Sequence, residues 1–235
     1  MTFFKGAWGP RPLGSQPVAA TLLLLALMMG APAMAVEEPR YEVVKAQGDF
    51  ELRRYPPLLI AETLVSGDMD EASRKGFRLL ADYIFGNNQL PDSASSEKIA
   101  MTAPVTVQAQ STKIAMTAPV TVEPQAASGA GDQWRVHFVM PSQYTLATIA
   151  KPRNEAVRLR QLPEQWFVAH RFSGFTTAAR VESKTQEALR WTSEQGLNQL
   201  GAPQLARYDP PWTLPMFRRN EILAPVQGPP PSRGP

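Results

Sequence analysis

The chain has 235 residues, 43% hydrophobic and 19% charged, the proportions of an ordinary globular protein with room for a sizeable core. The formal charge of +3 falls to +1 once Lys5 and Arg11 are set aside with the first 35 residues, and no cluster of Lys and Arg follows, so nothing recommends a nucleic-acid partner. There is no cysteine, which excludes disulfides, thiolate metal sites, cysteine nucleophiles and covalent c-type haem attachment, and two histidines are too few for a histidine-built zinc enzyme.

Lys5 and Arg11 precede an uncharged run from Val18 to Met29, and Ala33 and Ala35 flank Met34 in the A-x-A pattern of a cleavage site. Residues 1–35 are therefore read as a signal peptide and Val36 as the first mature residue. The alternative is an uncleaved anchor, because about 19 uncharged residues just reach across a bilayer; Gly30 and Pro32 argue against a continuous helix there. Either way the folded part is expected outside the cytoplasm, in a periplasm or secreted, with no membrane span in the mature form.

Glu42–Val44, Phe50–Tyr55 and Leu58–Val65 read as strands, the first pair turning at Gly48-Asp49 and the last two parted by Pro56-Pro57. Asp68 is a good N-cap with Glu71 three residues on. The helix behind it repeats Met69, Ala72, Gly76, Phe77, Leu80 and Ile84 at helical spacing and stops at Gly86-Asn87-Asn88. Its other face carries Arg74, Arg78 and Asp82 at four-residue steps: either a solvated face with an Arg78–Asp82 ion pair, or a basic edge for ligand carboxylates.

Lys-Ile-Ala-Met-Thr-Ala-Pro-Val-Thr-Val is spelled twice, at 98–107 and 113–122, without a mismatch. Two copies are too few for a solenoid. The five-residue connection and the β-formers predict two kinked strands of one hairpin, interrupted at Pro104 and Pro119. Glu123–Asp132 reads as a loop and Trp134–Met140 as an alternating strand. A shift of 107 residues lays Glu51–Gly67 over Arg158–Gly174, with Ser-Gly before a helix in both places. The second helix is predicted from Ala178 to Gln199 with Val181, Ala188, Leu189 and Trp191 inward, and the last strands at Gln204–Tyr208 and Glu221–Val226.

Between those last strands, three prolines stiffen a loop carrying Tyr208, Trp212, Met216, Phe217, Arg218 and Arg219. Large apolar groups on a connection, bracketed by arginines, suit a flat apolar ligand with carboxylates. The plainer reading packs the loop across a barrel end, its arginines paired to Asp209 and Glu221. No Gly-x-Ser-x-Gly elbow appears and neither histidine has a Ser and an acid in sequence context, so no catalytic residue is expected.

The twice-written phrase, Trp134–Tyr144 and Tyr208–Glu221 resemble the SOUL haem-binding family from about Val36 to Val226. The resemblance implies one α+β domain over 36–226: a distorted antiparallel barrel of about eight strands from two pseudo-repeated halves, flanked by two helices. Residues 227–235 would be a disordered Pro/Gly tail. It implies non-covalent binding of haem or a related tetrapyrrole between the first helix and the late loop, by Arg74, Arg78, Tyr208, Trp212, Met216, Arg218 and Arg219, for haem transport, buffering or scavenging in the cell envelope. Arg74 matches a basic helix position of the family, whereas Ala81-Asp82 stands where some members have Met-Lys, and Thr213 replaces a loop lysine. The family has no universal axial histidine; His170 and His137 are the weak candidates for iron. The alternatives are another hydrophobic anion, such as a lipid or small effector, or a protein partner with no small ligand.

Overall fold

The computed structural model describes residues 36–110 and 133–228. The predicted leader, the second copy of the phrase, the loop after it and residues 229–235 lie outside the described residues. In chain order the elements are β1 (Glu42–Gln47), β2 (Phe50–Tyr55), β3 (Leu58–Ser66), α1 (Met69–Ile84), β4 (Asn88–Gln89), β5 (Val105–Gln110), β6 (Gln133–Val139), β7 (Lys151–Pro152), β8 (Arg158–Leu162), β9 (Gln165–Phe172), α2 (Ala178–Glu194), β10 (Gln204–Arg207), a 3-10 turn at Pro215–Phe217, and β11 (Asn220–Val226).

Nine strands form one antiparallel sheet in the order β1-β2-β9-β11-β10-β5-β6-β3-β8, and β4 and β7 make a small ribbon beside it. Read inward from β8 at one end, and from β2 just inside the edge strand β1 at the other, the order is β8-β3-β6-β5 and β2-β9-β11-β10. The shift of 107 residues equates β2 with β8, β3 with β9 and α1 with α2, so the first strand of each half lies on the other half's sheet. The crossings are short, Pro56-Pro57 and Pro163-Glu164. Proline has no N–H for a ladder, so the strand stops there and its successor starts in a new direction. The expected α+β barrel-like fold of two merged halves with two flanking helices is thus observed, its sheet curled into a half-barrel.

Alternation decides which side of the sheet the helices cover. Trp134, Val136 and Phe138 of β6 turn toward the core under α1, and Val168 of β9 and Ala224 of β11 pack with Trp191 of α2. Asp68 caps α1 by accepting from the Glu71 N–H at 2.8 Å. The Glu71 side chain goes to Lys75, 2.7 Å away, rather than back to the cap. At Gly76 the helix comes so close to β6 that a Cβ would lie 2.5 Å from Val136. Phe77, expected inside, is more than a third exposed and only edges onto Phe138, with ring centroids 5.6 Å apart.

The first copy of the repeated phrase is not one hairpin strand. Lys98–Pro104 is a pinned coil: Ile99 N–H donates to the Ile84 carbonyl, Ala103 N–H to that of Glu37, and the Thr102 hydroxyl to that of Val139. Only after Pro104 does β5 begin. Both of its edges are taken, by β10 along Val105–Gln108 and by β6 along Val105–Gln110, so the predicted pairing of the two copies does not form on this strand. The sequence also says why the first copy suits this slot. Gln108 donates to the Ala202 carbonyl at 3.0 Å and Ala109 sits opposite Trp134 of β6; the second copy would bring Glu123 and Pro124 to those places, where a carboxylate cannot replace the amide donor and proline has no N–H to give a ladder.

Helix α2 ends at Glu194, five residues before the predicted Gln199. Gly196 turns to φ +66°, and Leu197 N–H bonds back to the Thr192 carbonyl, which closes the helix end. Its buried positions are Ala188, Trp191 and Thr192; Val181 and Leu189 are only partly covered.

Candidate functional site

In the first turn of α1, Asp70 accepts a hydrogen bond from the Arg207 guanidinium, at 3.4 Å. This contact fastens the start of the helix to the end of β10, from which the Tyr208–Arg219 loop departs. Arg74 and Arg78 follow Asp70 at successive turns of the same helix face. Both are exposed, and neither has an ion-pair partner among the described residues. The Arg78–Asp82 pair does not form, because the Asp82 carboxylate accepts from the Asn87 side chain at 2.6 Å instead.

The loop presents its large apolar side chains outward: Trp212 is 82% exposed, Phe217 72% and Met216 63%, with Leu214 and Phe175 also in the open. A contiguous apolar group of this kind on a rigid loop is the ordinary mark of a binding surface. Phe175 was not among the predicted residues. Gly174 N–H donates to the Pro215 carbonyl and the Arg218 guanidinium sits 5.8 Å from the Phe175 ring centroid, which brings this phenylalanine to the loop. Its signal in the sequence was an aromatic residue between a Ser-Gly turn and a helix start, where no strand or helix face accounts for it.

Arg218 and Arg219 part company. Arg218 donates to the carbonyls of Thr213 and Pro211, and so ties the loop to itself. Arg219 turns to the other side of the sheet, where it pairs with Glu38 at 2.7 Å and lies 3.5 Å over the Tyr208 ring. Tyr208 in turn donates to Glu221 at 2.7 Å. Glu221 is 1% exposed and receives both terminal nitrogens of Arg53, at 2.6 and 3.1 Å. Burial alone would disfavour its charge, but the hydrogen bond and charge of Arg53 outweigh it and hold the carboxyl below its usual range. Burial and the Glu221 charge push the Tyr208 phenol well up, so it stays a donor. Arg74 and Arg78 thus lie on the open face of α1, Trp212, Met216 and Arg218 on the loop whose root Arg207 ties to Asp70, and Tyr208 and Arg219 in a buried ionic cluster with Glu221.

The two histidines are also divided between the faces. His170, on β9, lies under α2 with Nδ1 3.2 Å from the Lys184 carbonyl and Nε2 3.6 Å from Glu187, and it stacks on Phe50. His137, on β6, faces the helix-free side, and its buried Nδ1 has no hydrogen-bond partner among the described residues. Burial, then the charges of Arg135 and Arg160, push its pKa down to about 3, so it is neutral at ordinary pH. Neither histidine belongs to the surface of Trp212 and Met216. Among the described residues no group of three or more His, Asp or Glu side chains is arranged to hold a metal ion, and no helix is long and apolar enough to cross a membrane.

Two solved structures, both of EcmrR, share the fold. The C-terminal domain of EcmrR is 12% identical, with a TM-score of 0.52, the match covering 80% of this chain and 98% of that one. EcmrR in its complex with DNA is 12% identical at a TM-score of 0.50, over 76% of this chain and 57% of that one. A hydrolase from Listeria innocua is 13% identical at 0.49, over 76% and 92%. No curated protein sequence matches the chain. The sequence profile of the SOUL heme-binding proteins matches residues 36–113 and 108–225, two segments that overlap at 108–113 where the first copy of the repeated phrase gives way to the second. Its two matches together run from the start of the folded part to the last strand: the chain belongs to the SOUL heme-binding protein family.

Proposed function

We propose that this protein binds haem or a related tetrapyrrole non-covalently, on the surface shared by α1 and the Tyr208–Arg219 loop, and that it is a carrier or buffer rather than an enzyme. The observation that supports the reading is the Asp70–Arg207 contact, which holds the start of α1 to the root of the loop, with Arg74 and Arg78 exposed and without ion partners among the described residues on the one and Trp212, Met216 and Phe217 exposed on the other. A macrocycle with two carboxylate tails needs both: apolar and aromatic area for its ring, and guanidinium groups for the propionates. The family supports the same ligand.

The residues present fit such a group with one reservation of chemistry. Trp212, Phe217 and Met216 would hold the ring and Arg74 and Arg78 the carboxylates, but no imidazole stands on this surface. The only side chain there of a type that ligates haem iron is the thioether of Met216. When bound, haem supplies redox and gas-ligand chemistry; the chain's own part is to seat it and shield one face. Tyr208 and Arg219 contribute at a distance, by bracing the root of the loop through Glu221. We also place the mature protein outside the cytoplasm, a reading supported by the apolar run and A-x-A pattern of the first 35 residues; N-terminal sequencing of protein from its own cells should start at Val36.

Titration of haemin into the purified protein tests the site. A saturable Soret change is expected, weakened about tenfold or more in Arg74→Ala/Arg78→Ala, each guanidinium–carboxylate contact being worth roughly 1.5–3 kcal/mol. A Trp212→Ser change should weaken it too. Absorbance that rises no more than with an unrelated protein of similar size, or binding indifferent to all three changes, would overturn the reading.

A further inference from the structure

Two stretches distant in sequence are laced together. One is the connection between β9 and α2, which carries Phe175; the other is the proline-rich loop between β10 and β11. Gly174 N–H donates to the Pro215 carbonyl at 2.9 Å, and the Asn220 side chain donates to the Gly174 carbonyl at 3.1 Å. Phe175, Trp212, Leu214, Met216 and Phe217 are each at least 59% exposed. Side chains so bare neither cover one another nor lie in a groove, so they stand out from the surface as an apolar tip. The haem reading uses Trp212, Met216 and Phe217 and gives Leu214 and Phe175 no task.

The backbone of this tip asks little of water. Pro210, Pro211 and Pro215 have no N–H. The N–H groups of Thr213, Phe217 and Arg218 donate to the carbonyls of Pro210, Leu214 and Pro215. The Arg218 guanidinium takes the carbonyls of Pro211 and Thr213. The carbonyls of Pro210, Pro211, Thr213, Leu214 and Pro215 therefore all have donors from within the loop itself. Water or a protein partner can match open backbone groups, whereas hydrocarbon cannot, so irregular backbone meets lipid only where it is satisfied internally. The self-sufficiency of this loop thus favours lipid over protein as its neighbour. Charge agrees with this. No Asp or Glu lies within residues 172–181 or 210–220, so no carboxylate has to be stripped of water at the tip. Arg180 and Arg218 hold carbonyls at its neck, those of Ser173, Pro211 and Thr213. Arginine there can bury its stem and keep its head among polar groups, and tryptophan is enriched at the boundary between hydrocarbon and water.

We propose that this tip inserts into a lipid bilayer. Phe175, Trp212, Leu214 and Phe217 enter the outer hydrocarbon, Arg180 and Arg218 stay at the level of the head groups, and the sheet remains in water. The attachment is apolar in origin and needs no anionic lipid. It goes beyond the haem reading and stands or falls without it.

The chain has no cysteine, so a single introduced thiol can carry a polarity-sensitive dye on the full chain. Leu214→Cys puts the dye on the tip; Ser93→Cys puts it on the loop beyond the C-terminal end of α1. This local readout separates the tip from the apolar run of the first 35 residues, which would hold both labelled proteins to a vesicle alike. With phosphatidylcholine vesicles, the dye at 214 should shift to the blue and be quenched by brominated acyl chains, and the dye at 93 should do neither. The response should persist at high salt, which screens charge and leaves apolar burial. Phe175→Ser/Phe217→Ser in the Leu214→Cys chain should weaken it about tenfold or more, since one buried aromatic ring alone is worth that. Arg74→Ala/Arg78→Ala, which should weaken haemin, should leave the vesicle response as it is, so the two readings fail separately. The proposal is overturned if brominated lipid does not quench the dye at 214, if both dyes respond alike, or if high salt abolishes the response. It is also overturned if the dye at 214 shifts without vesicles as protein concentration rises, because a second copy of the chain then covers the tip.

Discussion

The two sides of one sheet carry one buried histidine each, and the two histidines have opposite fates. On the side covered by helices, His170 is held by a carbonyl, a carboxylate and an aromatic face. On the bare side, His137 is equally hidden and unmatched. The helix side gives its histidine three neighbours, although the Thr63 hydroxyl, level with Val136 beneath α1, is buried there without a partner. The bare side has kept its charges in pairs, Arg53 with Glu221 and Arg160 with Glu62, and left a space among them. Burial alone therefore says little about whether a polar group is settled; the company it keeps decides.

The comparison can be broken most forcefully at Glu221. Glu221→Leu leaves Arg53 buried and without its bidentate partner, and a loss of about 3–5 kcal/mol in denaturant unfolding is expected. A loss under about 1 kcal/mol would mean that the bare side is wetter than its burial implies. The repeat offers a second, smaller edit. Excision of residues 113–127 leaves β5 as described. Excision of 98–112 instead keeps the helix-facing valines, since Val120 and Val122 replace Val105 and Val107, but puts Glu123 at Gln108 and Pro124 at Ala109. The second excision should be less stable than the first by about 1 kcal/mol, the loss of the hydrogen bond that the Gln108 amide gives the Ala202 carbonyl, with the proline beside it unable to donate along β6.

Protonation sharpens the contrast further. His137 has its pKa lowered in the fold, so its contribution is complete above the unfolded value near 6.5 and is lost as pH falls toward about 3, where the folded protein also takes up the proton. Stability should drop by up to ~1.4 kcal/mol per pH unit through that window on account of this one group. The shift of His170 is in the same direction, from burial opposed by the Lys184 carbonyl and Glu187. His137→Leu should flatten the acid slope more than His170→Leu does; equal slopes would erase the distinction between the two sides. The smallest effect belongs to Arg74 and Arg78, outside both environments. Their replacement by alanine should change stability by no more than about 0.5 kcal/mol, while the haemin response changes.

Much of the fold was legible because it is written in local rules. The Asp68 cap, the Pro56-Pro57 break and the alternation of β6 each say the same thing at short and long range. The repeat of Glu51–Gly67 at Arg158–Gly174 foretold two like halves, though not that each would lend its first strand to the other, since strand exchange depends on which edge is open after the crossing. The tandem phrase misled for a physical reason: β propensity describes a residue on a pleated surface, and Lys98–Pro104 spends its backbone groups on Ile84 and Glu37 instead. The candidate surface was half visible. Arg218 and Arg219 look alike in sequence, yet adjacent residues at a strand entrance point to opposite sides, so one braces the Trp212 loop and the other joins the Glu221 cluster.

The contact at Gly76 has a consequence for Arg74 and Arg78, two residues to either side of it on α1. With no side chain between the backbone of α1 and Val136, the helix has no cushion against the sheet, and its axis is fixed by backbone touching methyl groups. A single added methyl at that glycine would push the helix off the sheet and carry Arg74 and Arg78 with it, so the proposed haem surface would change with each of its proposed contact residues intact.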